Sequence, residues 1–290
     1  MDPRPYGPFA YMPINRRPKI TWPNGAQVAL WVIPNIEFFA LNEKMQESNH
    51  IPNVSAWAKR DYGNRIGVFR MMEVMSRYDV RGTVALNSDL CNWHPEILEQ
   101  GSALGWEFMG HNQSNTRRLT DIPAAEEGAV IKATLDRIEK QTGKRPRGWL
   151  GSGLQETWHS LEHLAASGVQ YVADWVNDDQ PYRMDAGGKV MISLPYSLDL
   201  NDKPSYEKYL CTPEEFTAMI QRTFDVLYRE GAESGRVMAI ALHPYITGVA
   251  HRIGALDAAL EYISKHTGVW KATGQEIVDH YVKTVPAGAR

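Results

Sequence analysis

The feature that most constrains this chain is an alternation. Short apolar runs bounded by turn residues recur at 28–36, 82–86, 107–110, 148–150, 171–173, 190–193 and 237–242, with a late one at 269–271. Amphipathic helical stretches lie between several of them, at 65–78, 95–104, 124–143, 160–167, 212–231 and 253–266. Short apolar runs read as strands, and strands separated by helices pair in parallel through right-handed crossovers. About seven such units with no glycine-rich phosphate loop predict an α/β fold that closes as a barrel rather than an open nucleotide-binding sheet. Gly187-Gly188-Lys189 is too short to cradle phosphate and reads as a hairpin turn. Thr212-Pro213-Glu214-Glu215 sets a capping hydroxyl before a proline at the first helical position, with acids in the first turn.

A chain of 290 residues, 43% hydrophobic and 22% charged, buries a large core. No repeat, low-complexity tract or linker divides it, so one barrel domain is expected over 25–290. The proline-rich stretch 1–24 is expected to be an extended arm over that domain or over a neighbouring subunit. A formal charge of −3 carries no basic excess for a phosphate backbone or an anionic membrane surface, so neither nucleic acid nor membrane is expected as a partner. The absence of an apolar run after a basic start, and of any stretch near the roughly 20 residues of a membrane span, predicts a cytoplasmic protein. Cys91 and Cys211 stand far apart without a CxxC pattern and read as reduced structural thiols. Nine Trp and 13 Tyr supply rings for a core and for the walls of a pocket.

Active sites of parallel barrels form at the carboxyl ends of the strands, so a polar residue closing an apolar run is a candidate. Five runs end that way: Asn35 and Glu37, His111, Arg147 with Trp149, Asp174, and His243. Taken singly, an acid past a strand caps a helix and a histidine makes a structural hydrogen bond. Together, two histidines, two acids and an arginine at one rim make a hydrolytic centre: a proton acceptor for water, donors for a developing oxyanion, and an acid for a departing nitrogen. Glu156, after the Gly151-Ser152-Gly153 turn, stands beside this rim, as does Trp175.

Taken in order, the motifs Asn35-Ile36-Glu37-Phe38, His111-Asn112-Gln113-Ser114-Asn115, Arg147-Gly148-Trp149-Leu150-Gly151, Asp174-Trp175 and Leu242-His243-Pro244 resemble those of the NodB-homology polysaccharide deacetylases. Arg60-Asp61-Tyr62-Gly63-Asn64-Arg65, Gly82-Thr83-Val84-Ala85-Leu86-Asn87, Gly105-Trp106-Glu107-Phe108 and the stretch 174–182 resemble the allantoinase-like branch of that superfamily. The likeness runs from about residue 15 to the end and implies a deformed (β/α) barrel of about seven strands.

Departures from the deacetylase pattern carry the functional expectation. Typical members hold Thr-Phe-Asp-Asp, whose first Asp is the general base and second a metal ligand, and a His-x-x-x-His pair that completes the metal site. Here Glu37 falls on the base, Phe38 on the metal carboxylate, His111 on the first histidine and Asn115 on the second. A neutral amide is a poor zinc ligand, so no cofactor is expected, in keeping with a branch understood to act without metal; a shifted register would leave a divalent ion at His111 as the alternative. The resemblance implies an amidohydrolase of non-peptide carbon–nitrogen bonds in a small amide, cyclic imide or ureide. Glu37 is its base, with burial raising its pKa. His111 and Asn115 polarise the carbonyl, Arg147 assists or holds a carboxylate product, Asp174 positions a partner and His243 protonates nitrogen. Asn35, Trp149, Trp175 and Glu156 contact substrate. Two rivals remain: a metal-dependent N-deacetylase of sugars or peptidoglycan, and a binding protein without catalysis. A small-molecule substrate and a homodimer or homotetramer are the expected partners.

Overall fold

The longest apolar run becomes the longest strand, β1 (Val28–Ile36), buried along its whole length. In the computed structural model, which describes residues 2–45 and 49–286, it is followed by β2 (Thr83–Leu86), β3 (Glu107–Gly110), β4 (Gly148–Trp149), β5 (Tyr171–Val172), β6 (Tyr182–Asp185), β7 (Val190–Ser193), β8 (Arg236–Leu242) and β9 (Val269–Lys271). One sheet holds them all in the order β6-β7-β5-β4-β3-β2-β1-β8, with β9 paired to the start of β1. Every pairing is parallel except the β6–β7 hairpin, which turns at Gly187 (φ 69°) and Gly188 (φ 84°), positions that suit a residue without a Cβ. The free edge of β8 is taken by the segments that flank the β6–β7 hairpin: Ala241 N donates to Leu200 O (2.9 Å) beyond β7 and Val237 N to Asp179 O (2.8 Å) ahead of β6, which curls the sheet into the deformed barrel expected.

The helices form the outer layer: α1 (Val54–Tyr62), α2 (Val68–Arg77), α3 (Leu90–Trp93), α4 (Pro95–Ala103), α5 (Ala124–Thr142), α6 (Ser160–Ala166), α7 (Asp202–Glu207), α8 (Pro213–Gly231), α9 (Ile253–Ser264) and α10 (Gly274–Thr284). The capping box expected at Thr212 forms at the start of α8. Expectation and structure differ at β6, a strand whose Tyr-Arg-Met-Asp lacks an apolar run, at the short α1, α3 and α7, and at the amphipathic α10, which was not expected.

Strand alternation divides the core in two. Val28, Leu30, Val32 and Ile36 of β1 and Met238, Ile240 and Leu242 of β8 face the helices. Ala29, Trp31 and Ile33, with Ala85, Met109, Ala239 and Ala241, face the lumen. Small alanines leave room for Trp31, which is fully buried; truncating it to alanine would cost about 3–5 kcal/mol. The period of two extends past the strand ends, where a residue continuing the lumen parity enters the barrel mouth.

The amino-terminal stretch lies on this same barrel. Phe9 packs edge-on to Trp175 (5.3 Å) and Tyr182 (5.0 Å), Arg17 pairs with Asp178, and Trp22 is buried with its Nε1 donating to Arg236 O (2.9 Å). Among the described residues no helix is long and apolar enough to cross a membrane. Both cysteines are free thiols.

Candidate active site

Asn35, Glu37, Asn87, His111 and His243 all continue the lumen parity of their strands, and all are buried at the carboxyl end of the barrel. A cavity of about 220 Å³ opens there, lined by Asn35, Glu37, His111, Asn115 and His243 among others. Glu37 is its centre: Oε1 stands 3.7 Å from His111 Nε2 and 3.7 Å from His243 Nε2.

Each imidazole is aimed from behind. His111 Nδ1 donates to Leu150 O (2.6 Å), and His243 Nδ1 donates to Asp202 Oδ1 (2.6 Å), so both Nε2 atoms face the carboxylate. Asp202, at the start of α7 and fully buried, also accepts from His243 N (2.7 Å) and Thr247 Oγ1 (2.6 Å). The turn after His111 is tight: Asn112 has φ 59°, a left-handed conformation that Asn tolerates. It returns Asn115 to Glu37, where Asn115 Nδ2 donates to Oε1. Asn115 Oδ1 meanwhile accepts from Ser152 Oγ (2.5 Å) and Asn87 Nδ2 (3.1 Å). Asn87 ties the same rim together, donating to His111 O and accepting from Phe38 N (2.8 Å).

Charge follows this geometry. Burial pushes the Glu37 carboxyl up, but His243 and His111 outweigh it and hold the group below the ordinary carboxylate value. This corrects the expectation that burial would raise it. Burial pulls His243 down, and Asp202 and Glu37 more than offset that, leaving it above the ordinary imidazole value. Each shift favours the charged form of its group, carboxylate for Glu37 and imidazolium for His243.

Other expected residues fall elsewhere. Arg147 precedes β4 rather than closing it, so it sits at the opposite end of the barrel, where it pairs with Asp279 and Gln170; the expectation of a catalytic role is corrected. Trp149 has the outward parity and packs beneath the helices with Leu135 and Leu161, not in the cavity. Asp174 accepts from Gly151 N (2.7 Å) and does not hold His243, whose partner is Asp202. Burial pushes Asp174 up to about 6, and burial followed by the charge of Asp174 pushes the neighbouring Glu156 well above its usual range. Glu156 Oε1 accepts from Trp175 Nε1 (3.2 Å); these three stand behind the Gly151–Leu154 turn, outside the cavity lining. Asn35 lines the cavity, accepting from Tyr196 OH (3.2 Å). Asp202, Asn87 and Tyr196 were not expected in the site; for Asn87 the signal was parity past β2.

No family model matches the chain. The solved PuuE allantoinase superposes with a TM-score of 0.84 at 26% identity, over 92% of this chain and 94% of that one. A Schizosaccharomyces pombe protein named "Putative polysaccharide deacetylase" is 24% identical over 91% of this chain and 92% of its own length. The likeness runs along nearly the whole barrel and takes in the rim motifs in their order. The chain is similar in fold and sequence to PuuE allantoinase and to polysaccharide deacetylases. A Helicobacter pylori peptidoglycan deacetylase is 21% identical over 78% of this chain and 87% of its own length. These relatives are hydrolases of carbon–nitrogen bonds, and the chain keeps the acid–histidine centre that such chemistry requires.

The superfamily's metal does not fit the residues here. Phe38 turns its ring into the packing beside the main core, and Asn115 presents an N–H donor to Glu37 Oε1, where a cation would need a lone pair. Among the described residues no three His, Cys, Asp or Glu side chains are placed to hold a metal ion.

Proposed function

We propose that this chain hydrolyses a carbon–nitrogen bond in a small amide, cyclic imide or ureide, with Glu37 as general base and His243 as general acid, and without a catalytic metal. The observation that carries the reading is Asn115, which occupies a metal-ligand position of the superfamily and donates instead to the base. A cavity of about 220 Å³ supports a small substrate over a polymer.

In this mechanism, water sits within reach of Glu37 and of His111 Nε2. Glu37 takes one proton as the oxygen attacks the carbonyl carbon. The tetrahedral oxyanion collapses, the C–N bond breaks, and His243 Nε2–H protonates the departing nitrogen. Glu37 then returns its proton to His243 across the 3.7 Å gap, restoring the starting pair. Asp202 stabilises the imidazolium throughout. Asn115 holds the base; it was expected to polarise the carbonyl, but its Oδ1 is taken by Ser152 and Asn87 and its Nδ2 serves Glu37.

The rival, metal-dependent deacetylation of a sugar amide, is favoured by the names of the two curated relatives. A panel of allantoin, hydantoins, succinimide, small formamides and N-acetylglucosamine oligomers, assayed for ammonia, acid or acetate release with and without chelator, separates the two. Turnover of a cyclic or small amide that persists in chelator is the expected outcome. Turnover of the oligomers alone, lost on chelation and restored by zinc, manganese or cobalt, would overturn the proposal.

A further inference from the structure

Besides the two histidines, four charged residues line the cavity, and only Glu37 is an acid; Arg60, Arg118 and Lys203 are cations. Two of the cations are engaged within the protein. Arg60 donates to Ala56 O (3.0 Å) and lies over the Phe39 ring at 4.2 Å, while Lys203 bonds Glu207 (2.9 Å) and Tyr245 OH (3.2 Å). Arg118 differs. Its backbone N–H is tied to Asp121 Oδ2 (3.0 Å), yet among the described residues no acidic side chain pairs with its guanidinium.

The guanidinium nevertheless lies close to the protein backbone. It packs on the turn at Gly153 (φ 70°), where an added Cβ would stand 3.4 Å from Cζ. A half-buried arginine, fixed against a turn that itself lines the cavity and left without an anion, is a receptor for one. The carboxylate made by hydrolysis does not answer this need, because it forms at the buried end beside Glu37.

We infer that the substrate carries a carboxylate on the side away from the scissile bond, and that Arg118 is the specificity residue that binds it. Lys203, from the start of α7, adds to the same positive field. The inference rests on the proposed hydrolysis of a small amide or ureide and narrows it to anionic members of that class. A planar fork matches a carboxylate in two parallel hydrogen bonds, and partial exclusion of water strengthens them, so discrimination of about 10- to 100-fold over a neutral isostere is expected.

The test uses 5-carboxymethylhydantoin and its near-isostere 5-isobutylhydantoin, with binding measured by calorimetry on the Glu37→Gln protein and on wild type. The carboxylate should bind at least about tenfold more tightly. Arg118→Gln in the same background should bring the ratio to within about threefold of unity, and Arg118→Lys should keep part of it. Equal or tighter binding of the isobutyl compound, binding of neither, or a preference that survives Arg118→Gln would overturn the inference. Carboxylate-selective binding that depends on Arg118, found together with no turnover of any amide, would sink the hydrolase reading and leave this one standing.

Discussion

The barrel has a desolvated carboxylate near each end, and the two are treated oppositely. At the rim, Glu37 faces two imidazoles and is held below its ordinary value, so it stays ionised and able to accept a proton. At the floor, Glu107 begins β3 and accepts from Tyr171 OH (2.7 Å), Gln275 N (2.8 Å) and Thr83 Oγ1 (3.3 Å). Desolvation outweighs these hydrogen bonds and pushes it up. The rim carboxylate is kept charged by two nearby histidines, as a base requires. The floor carboxylate joins α10 to the strands above it. Gly148 belongs to the same floor: a Cβ there would lie 2.1 Å from the Tyr171 ring. The same residue type thus carries chemistry at one end and cohesion at the other, and the neighbours decide which.

The largest effect that would break this contrast is loss of the base. Glu37→Gln keeps shape and removes the proton acceptor, so turnover of the best substrate should fall by roughly 10²–10⁴-fold with little change in affinity. Full activity in this variant would end the mechanism.

Next in size is the group behind His243. Activity needs Glu37 unprotonated and His243 protonated, so kcat/KM should rise through a pKa below the ordinary carboxylate value and fall through one above the ordinary imidazole value. Asp202→Asn removes the charge that raises His243; it should lower turnover by about 10–10²-fold and move the basic limb to lower pH. A basic limb that stays in place while activity falls would assign Asp202 to packing alone.

At the floor the effects are on stability. The raised Glu107 holds its proton more tightly folded than unfolded, so the wild-type protein loses stability as pH rises through that range, relative to Glu107→Gln, which cannot ionise. Urea unfolding at pH 4 and pH 7.5 should find the wild-type advantage smaller at the higher pH; a constant difference would remove the floor from the comparison.

The smallest effect belongs to Arg147. Its pairing with Asp279 is half-exposed and of surface type, so Arg147→Ala should cost about 0–1 kcal/mol and change kcat/KM by less than about threefold. A drop of about 10²-fold would put this arginine back in the chemistry.

The sequence carried the barrel because parallel strands and amphipathic helices leave periodic apolar signals, and eight of the nine strands lie on runs readable in one dimension. β6 escaped, since an edge strand of Tyr-Arg-Met-Asp pairs on one side only and needs no apolar run. Glu37, His111 and His243 were legible as polar residues closing such runs. Parity could have added Asn87 and removed Trp149, because side chains alternate between lumen and helices with a strict period of two. Arg147 was misread because a strand of two residues leaves too little pattern to tell its beginning from its end. What only the tertiary structure decided is the partnership across distance. Asp202 lies 41 residues before His243, and Asn115 lies 78 after Glu37. Hydrogen bonds of about 3 Å between such residues are set by how the chain closes on itself, and local periodicity holds no record of them.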